Sequence, residues 1–134
     1  MPARREDGSL LPLFGALLFT SFVMVTLVVE LTLLGFAYRS AASAADAAAE
    51  AGAAMLAEDR AYADDVALDV LRARDESIAV GTALARSGAV VEVDATPLQV
   101  CVTVRDRQLP ATLSVLGVSG IDITVNTCAE PRVG

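Results

Sequence analysis

The sequence predicts an α+β fold in which a long N-terminal transmembrane helix continues as an exported helical region and packs on a small three-stranded antiparallel sheet. Two observations predict this fold. Ser9 to Tyr38 is a stretch of 30 residues whose only charged residue is Glu30. From Ala89 onward, apolar residues recur at every second position, the period of half-buried strands. With 134 residues, the chain has room for one small domain besides the span.

The first predicted element is a transmembrane helix over residues 10–38. A hydrocarbon core about 30 Å thick requires roughly 20 apolar residues of helix, and this segment is longer than that. The alternative is a secretory signal cleaved near Ala45, but the apolar cores of such signals hold only about 7–15 residues. We therefore expect a helix that stays in the bilayer.

The distribution of charge predicts the orientation. Arg4 and Arg5 precede the span and only Arg39 follows it closely, which favours a cytoplasmic N-terminus, residues 1–9. Beyond residue 40 there are 14 acidic residues against 7 arginines, so the extracytoplasmic part carries a net charge of −7 and is not expected to bind nucleic acid. The absence of lysine beside abundant alanine suggests a high-GC bacterium, and hence a single-pass protein of a bacterial cell membrane.

Residues 39–58 are predicted to extend the spanning helix outward. Alanine, the best helix former, occupies 11 of the 18 positions from Ser40 to Ala57. Small residues recur at four-residue steps, which allows another backbone to approach closely. Either the chain's own downstream domain or a neighbouring copy could supply that backbone. The candidate assembly contacts are Ala41, Ala45, Ala48 and Gly52, together with Glu30.

Residues 59–88 are predicted to be helical. Tyr62, Val66 and Val70 recur at helical spacing, and a second helical stretch ends near Gly88, where glycine can adopt the left-handed conformation that closes a helix. One bent helix and two separate helices both fit the pattern, because Gly81 makes a break plausible.

Residues 89–130 are predicted to form three strands in an antiparallel meander, followed by a tail over residues 131–134. A two-residue loop at Thr96-Pro97 would pair Val93 with Val100 and keep apolar residues opposite apolar residues. Between the second and third strands, "QLPATLSVLGVSG" predicts a short helical or turn connection.

The second hairpin brings the two cysteines together. Pairing Cys101 with Cys128 sets Val104 opposite Val125, so that the apolar faces of the two strands agree. An oxidising compartment would then allow a cross-strand disulfide on the polar face of the sheet. The alternative is two free thiols in neighbouring strands.

No constellation of residues indicates catalysis. The chain has no histidine and no lysine, which removes histidine-based catalysis, histidine-ligated metal sites and Schiff-base chemistry. Acidic pairs such as Asp64-Asp65 lack the spacing of a calcium loop and are interpreted as solvated charges. We expect a protein that is not an enzyme and has no cofactor or metal.

Glu30 is the unusual residue of the span. An ionised side chain is costly in lipid, although Tyr38 lies only about 12 Å further along the helix. Glu30 is either a polar residue tolerated near the interface or a group that meets a donor on another membrane helix and sets the register of an assembly.

The order of these segments resembles the TadE/TadG-like family, pilin-like minor subunits of Tad (Flp-type) pilus systems. The most specific match is "AADAAAEAGA", Ala44 to Ala53, which is similar to the family's "AADAAALAGA". The other matching segments are "RREDGS" before the span, "LVVEL" within it, and the strands "VCVTV" and "IDITVNT". The residue five before Glu30 is Val25 rather than the glycine typical of prepilin peptidase sites, so processing of that standard kind is not expected.

The resemblance implies a membrane-anchored pseudopilin that acts in pilus assembly or adhesion. Its partners would be the lipid bilayer, other pilin-like subunits in a homo- or hetero-oligomer, and the inner-membrane assembly platform. The competing interpretation is a single-pass, membrane-tethered binding module with no pilus role. A third is an accessory subunit of a membrane enzyme or secretion machine.

Overall fold

A computed structural model describes residues 10–58 and 66–131 of the chain. It is an α+β structure with a long apolar N-terminal helix and a three-stranded antiparallel sheet, as the sequence predicts. Its elements are α1 (Leu10–Ala53), α2 (Val70–Leu84), β1 (Val90–Ala95), β2 (Val100–Gln108), a short 3-10 helix (Leu113–Leu116) and β3 (Ile121–Ala129).

Helix α1 is unbroken over 44 residues, about 66 Å at 1.5 Å per residue. Within the described residues it is the one helix long and apolar enough to cross a membrane, and only 6 % of its most apolar window is buried. The predicted span, residues 10–38, lies entirely within it. The alanine-rich extension is shorter than predicted, because the chain turns after Ala53 and the Met55 N–H donates to the carbonyl of Gly52.

The core lies between the alanine-rich part of α1, helix α2 and one face of the sheet. We call α2, the sheet and the part of α1 that they cover the head domain. Ala44, Ala45 and Ala48 are completely buried, as are Val100 and Val102 of the central strand. Side chains this small bring the other elements close to the α1 backbone, so the chain's own domain covers the alanine stripe.

Helix α2 begins later than the sequence pattern predicts. Its N-cap is Asp69, whose carboxylate accepts the N–H of Arg72 at 3.2 Å. Just before it, Leu68 is in an isolated antiparallel bridge with Leu56 and donates its N–H to Pro97, so these backbone groups are held in non-helical contacts. The predicted Tyr62 position lies outside the described residues.

No break occurs at Gly81, so residues 70–84 form one helix. A Cβ at this position would lie 2.9 Å from Val91 Cγ1 and 3.4 Å from Ala48 Cβ, so the glycine allows α2 to approach the sheet and α1 together. The helix ends at Leu84, and Gly88, with φ +95°, lies beyond it in the turn into β1.

The sheet has the order β1-β2-β3 with β2 in the centre. The register predicted for the second hairpin is confirmed: Cys101 lies opposite Cys128 and Val104 opposite Val125. The register predicted for the first hairpin is wrong by two residues, because Val93 pairs with Val102.

The first hairpin closes through a four-residue turn rather than a two-residue loop. Thr96 N–H donates to the Gln99 carbonyl at 2.9 Å, and the Thr96 hydroxyl accepts the N–H of Gln99 at 3.1 Å. Pro97 and Leu98 therefore form the tip, and Leu98 is 72 % exposed. A shift of two residues leaves every side chain on its original face, which is why the pattern of alternation did not reveal it.

Candidate functional site

Glu30 is the one charged residue that α1 buries among the described residues, and its partner is the chain itself. It is only 9 % exposed, whereas Val29 and Leu31 beside it are more than half exposed. The carboxylate oxygen Oε1 accepts the backbone N–H of Thr112 and, at 3.3 Å, that of Leu113. The connection between β2 and β3, residues 109–120, therefore lies beside the apolar half of α1.

The local fold of this β2–β3 connection explains the contact. Residues 113–116 form a 3-10 helix that ends at Gly117, whose φ of +88° is left-handed. The first N–H groups of any helix have no acceptor within it, and a carboxylate suits that end electrostatically. Thr112, at the N-cap, makes no capping hydrogen bond with its own side chain. Glu30 supplies the acceptor from 82 residues away in the sequence.

Together α1 and the β2–β3 connection enclose an apolar groove of about 320 Å³. Its lining residues are mostly aliphatic on both sides: Val25, Val29, Leu33 and Leu34 from α1, and Leu109, Pro110 and Ala111 from the connection. Glu30 and Thr112 lie at one edge. The site is thus a single carboxylate within an apolar surface, with no second titratable group among its lining residues.

The other assembly candidates occupy positions that a second subunit cannot reach in this structure. Ala41, Ala45 and Ala48 are at most 4 % exposed, and Gly52 is also buried. They pack on α2 and the sheet because small residues let those elements approach the helix. Of the two alternatives for the alanine stripe, the chain's own domain is therefore the one present. Ser43, Asp46 and Glu50 are the residues that this part of α1 exposes.

The two cysteines are bonded in the structure. Cys101 and Cys128, 27 residues apart in the sequence, form a disulfide between β2 and β3 on the polar face of the sheet. Further along that face, Arg105 Nη2 lies 3.1 Å from Glu92 Oε2, and the Asn126 amide donates to the Thr103 hydroxyl at 2.7 Å.

Sequence reasoning missed one buried carboxylate, Asp106. It lies on the apolar face of β2 and is 8 % exposed, because the alternation that places Val104 inward also places Asp106 inward. Arg86 Nη1 lies 3.7 Å from its Oδ2, and the Gln108 amide donates to the same oxygen at 2.7 Å. The alternation was the signal that could have found it.

The N–H donors for Glu30 were also missed, and for them the sequence carries no signal, because they belong to the backbone. Within residues 10–58 and 66–131, no group of three or more histidine, cysteine, aspartate or glutamate side chains is arranged to hold a metal ion. Comparison of the chain with protein-family models, with curated proteins and with solved structures finds no match.

Proposed function

We propose that this protein is a membrane-anchored, pilin-like minor subunit of a Tad/Flp-type pilus or related secretion system, acting in pilus assembly or adhesion. The N-terminus lies in the cytoplasm of a bacterial cell and the head domain outside the membrane. The proposal assigns the chain no catalytic role. It is based on the resemblance carried by "AADAAAEAGA" and on the division of α1 into two halves.

The observation that carries the proposal is this division. The alanine-rich half is covered by the head domain, whereas the apolar half is bare: Phe14, Phe19, Phe22 and Phe36 are each between 65 % and 70 % exposed. Such a surface needs lipid or other apolar helices around it. A pilin-like subunit is first held in a bilayer and is then drawn into a bundle of helices. Its apolar surface therefore contacts lipid at first and neighbouring helices afterwards.

Glu30 retains the capacity for a contact between subunits. Both backbone N–H groups donate to the same carboxylate oxygen, Oε1. A carboxylate has about four acceptor sites on its two oxygens, so a donor on a neighbouring helix can still bind. The assembly role is therefore proposed for the acceptor sites of the carboxylate that the internal donors leave, in addition to its contact with the β2–β3 connection.

The decisive experiment replaces residues 10–29 with an unrelated apolar spanning helix and leaves Glu30 and the head domain unchanged. We expect a deletion strain carrying this chimera to lack surface pili and the chimera not to co-purify with other pilins, although it reaches the membrane at the normal level. The matched control is Leu98→Ala, which removes an exposed apolar side chain from the head domain. Normal piliation by the chimera would refute the subunit role.

A second candidate function, the tethered binding module, is favoured by a different observation. An open groove of about 590 Å³ at the disulfide end of the sheet is lined by Asp46, Glu50 and Glu130. If this groove binds a cationic ligand, Asp46→Arg should abolish binding by the head domain on any membrane anchor. The chimera that carries the unrelated span should then bind like the native chain.

A further inference from the structure

We propose that the β2–β3 connection is a second membrane contact, which inserts residues 109–113 into the interfacial layer of the lipid bilayer on the side of the head domain. The inference depends on the proposal that α1 spans a membrane, and it does not depend on a role in pili. The partner that this segment contacts is the lipid surface itself.

The contact with Glu30 sets the depth of the connection. Twenty residues separate Leu10 from Glu30, about 30 Å along the helix, which equals the thickness of a hydrocarbon core. With Leu10 at one edge of the core, the Thr112 N–H bonded to Glu30 lies at the opposite edge. Placing Leu10 to Tyr38, about 42 Å of helix, across the core plus both headgroup layers instead puts Glu30 inside the core. The connection thus lies within the membrane level rather than above it.

The composition of the connection suits this depth. The thirteen residues from Leu109 to Ile121 contain no charged residue, although the rest of the chain beyond residue 40 is rich in charge. Leu109 is 77 % exposed at the point where the chain leaves β2. It lines the same apolar groove as Val25 and Val29 of α1, so the apolar surface of the helix continues onto the connection.

Several backbone N–H groups of the connection already have partners within the protein. A non-helical backbone in a membrane is tolerated only where its polar groups have partners within the protein. Pro110 has no N–H, those of Thr112 and Leu113 donate to Glu30, and that of Ser114 donates to the Pro110 carbonyl at 3.2 Å. This gives the carboxylate a function in the span: it satisfies the amides of a segment that lies beside it in the bilayer.

The test uses the absence of tryptophan from the chain. Leu109→Trp introduces a single fluorophore at the proposed contact, and Leu98→Trp is the matched control, an exposed leucine in the loop at the other end of β2. Phe22→Trp, in the bare half of α1, reports on the span. Each full-length variant is reconstituted into phosphatidylcholine–phosphatidylglycerol vesicles with and without brominated acyl chains.

We expect brominated lipid to quench L109W several-fold more strongly than L98W, and L109W to be protected from aqueous iodide. Equal weak quenching of L109W and L98W, with F22W strongly quenched, would overturn the inference and leave the span intact. A blue-shifted L109W emission without quenching by bromine would also overturn it, since the connection would then be covered by protein. Loss of quenching in F22W would instead show that α1 does not span, and the second contact would be refuted with it.

Discussion

Gly52→Ala tests a close approach between α1 and α2 in the head domain. An added Cβ would lie 2.1 Å from Ser77 Oγ, 3.0 Å from the Ala73 carbonyl oxygen and 3.2 Å from Val100 Cγ1. Ser77 is completely buried, and its hydroxyl has no hydrogen-bond partner among the described residues. The new methyl group therefore meets a crowded site from which the nearest atom cannot move into solvent.

The magnitude follows from two opposing effects. Replacing a glycine inside a helix by alanine gains about 1 kcal/mol in helix propensity. Overpacking a filled core costs about 1–3 kcal/mol, and a separation of 2.1 Å requires the Ser77 hydroxyl or the helices to shift. We expect a net loss of about 1–2 kcal/mol in the free energy of unfolding. Each kcal/mol lowers the Tm by roughly 4–8 °C for a domain of 60–100 residues.

The assay is thermal unfolding of the detergent-solubilised protein, followed by circular dichroism, as a double-mutant cycle with Ser77→Ala. Removing an unpaired buried hydroxyl should leave stability unchanged or raise it by about 1 kcal/mol. In that background G52A should cost about 1 kcal/mol less, because the contact at 2.1 Å no longer exists. Gly35→Ala is the control, since its Cβ would meet nothing within 4 Å. A G52A protein as stable as the native one, with no coupling to S77A, would refute the packing described between α1 and α2.

Three further predictions concern the Glu30 contact, the disulfide and the Asp106 ion pair. Glu30→Leu should accelerate hydrogen exchange of its two backbone N–H donors at least about tenfold, because hydrogen bonds to a charged acceptor are worth about 1.5–3 kcal/mol. Glu30→Gln keeps an acceptor and should accelerate the exchange less. Equal exchange rates in the two variants would contradict the assigned contact. Replacing Cys101 and Cys128 by alanine should lower the free energy of unfolding by about 3–4 kcal/mol for a 27-residue separation, measured by denaturant titration, and an unchanged midpoint would count against the bond. Arg86→Met should lower the free energy of unfolding by about 1–2 kcal/mol, because it leaves Asp106 buried with Gln108 as its remaining partner. The same change at an arginine on the polar face of the sheet should lower it by under about 1 kcal/mol. Equal losses would show that Asp106 does not depend on its ion pair.

The sheet was predictable to the extent that side-chain alternation determines it. The second hairpin was correct in register because two cysteines and several valines had to match at once, and a slip of one residue would have exposed the whole apolar set. The first hairpin was not, because a loop of two residues and a turn of four leave the same side chains facing the core. The hydrogen bonds of Thr96 that select the longer turn involve the backbone of Gln99, and alternation does not report on them.

The candidate site was predictable only in part. A lone carboxylate in an apolar span identified Glu30 as a residue that needs a donor, and the structure agrees that it has one. The interpretation that gave Glu30 a donor placed it on another helix, since apolar helices in membranes usually find polar partners on their neighbours. The observed donors are amides of a connection more than 80 residues away, and any residue but proline could have supplied them.

The bridge between Leu56 and Leu68 brings together two points of the chain that are 12 residues apart. The Ala57 N–H donates to the Ala67 carbonyl at 2.9 Å, so residues 57 and 67 are held side by side. For a segment whose two ends are held together in this way, each doubling of its length adds a loop-closure cost of about 0.6 kcal/mol. An epitope inserted there would leave the span, the sheet and the Glu30 contact unaltered. Immunolabelling of intact cells would then distinguish a subunit carried outward along a fibre from one that stays at the cell envelope.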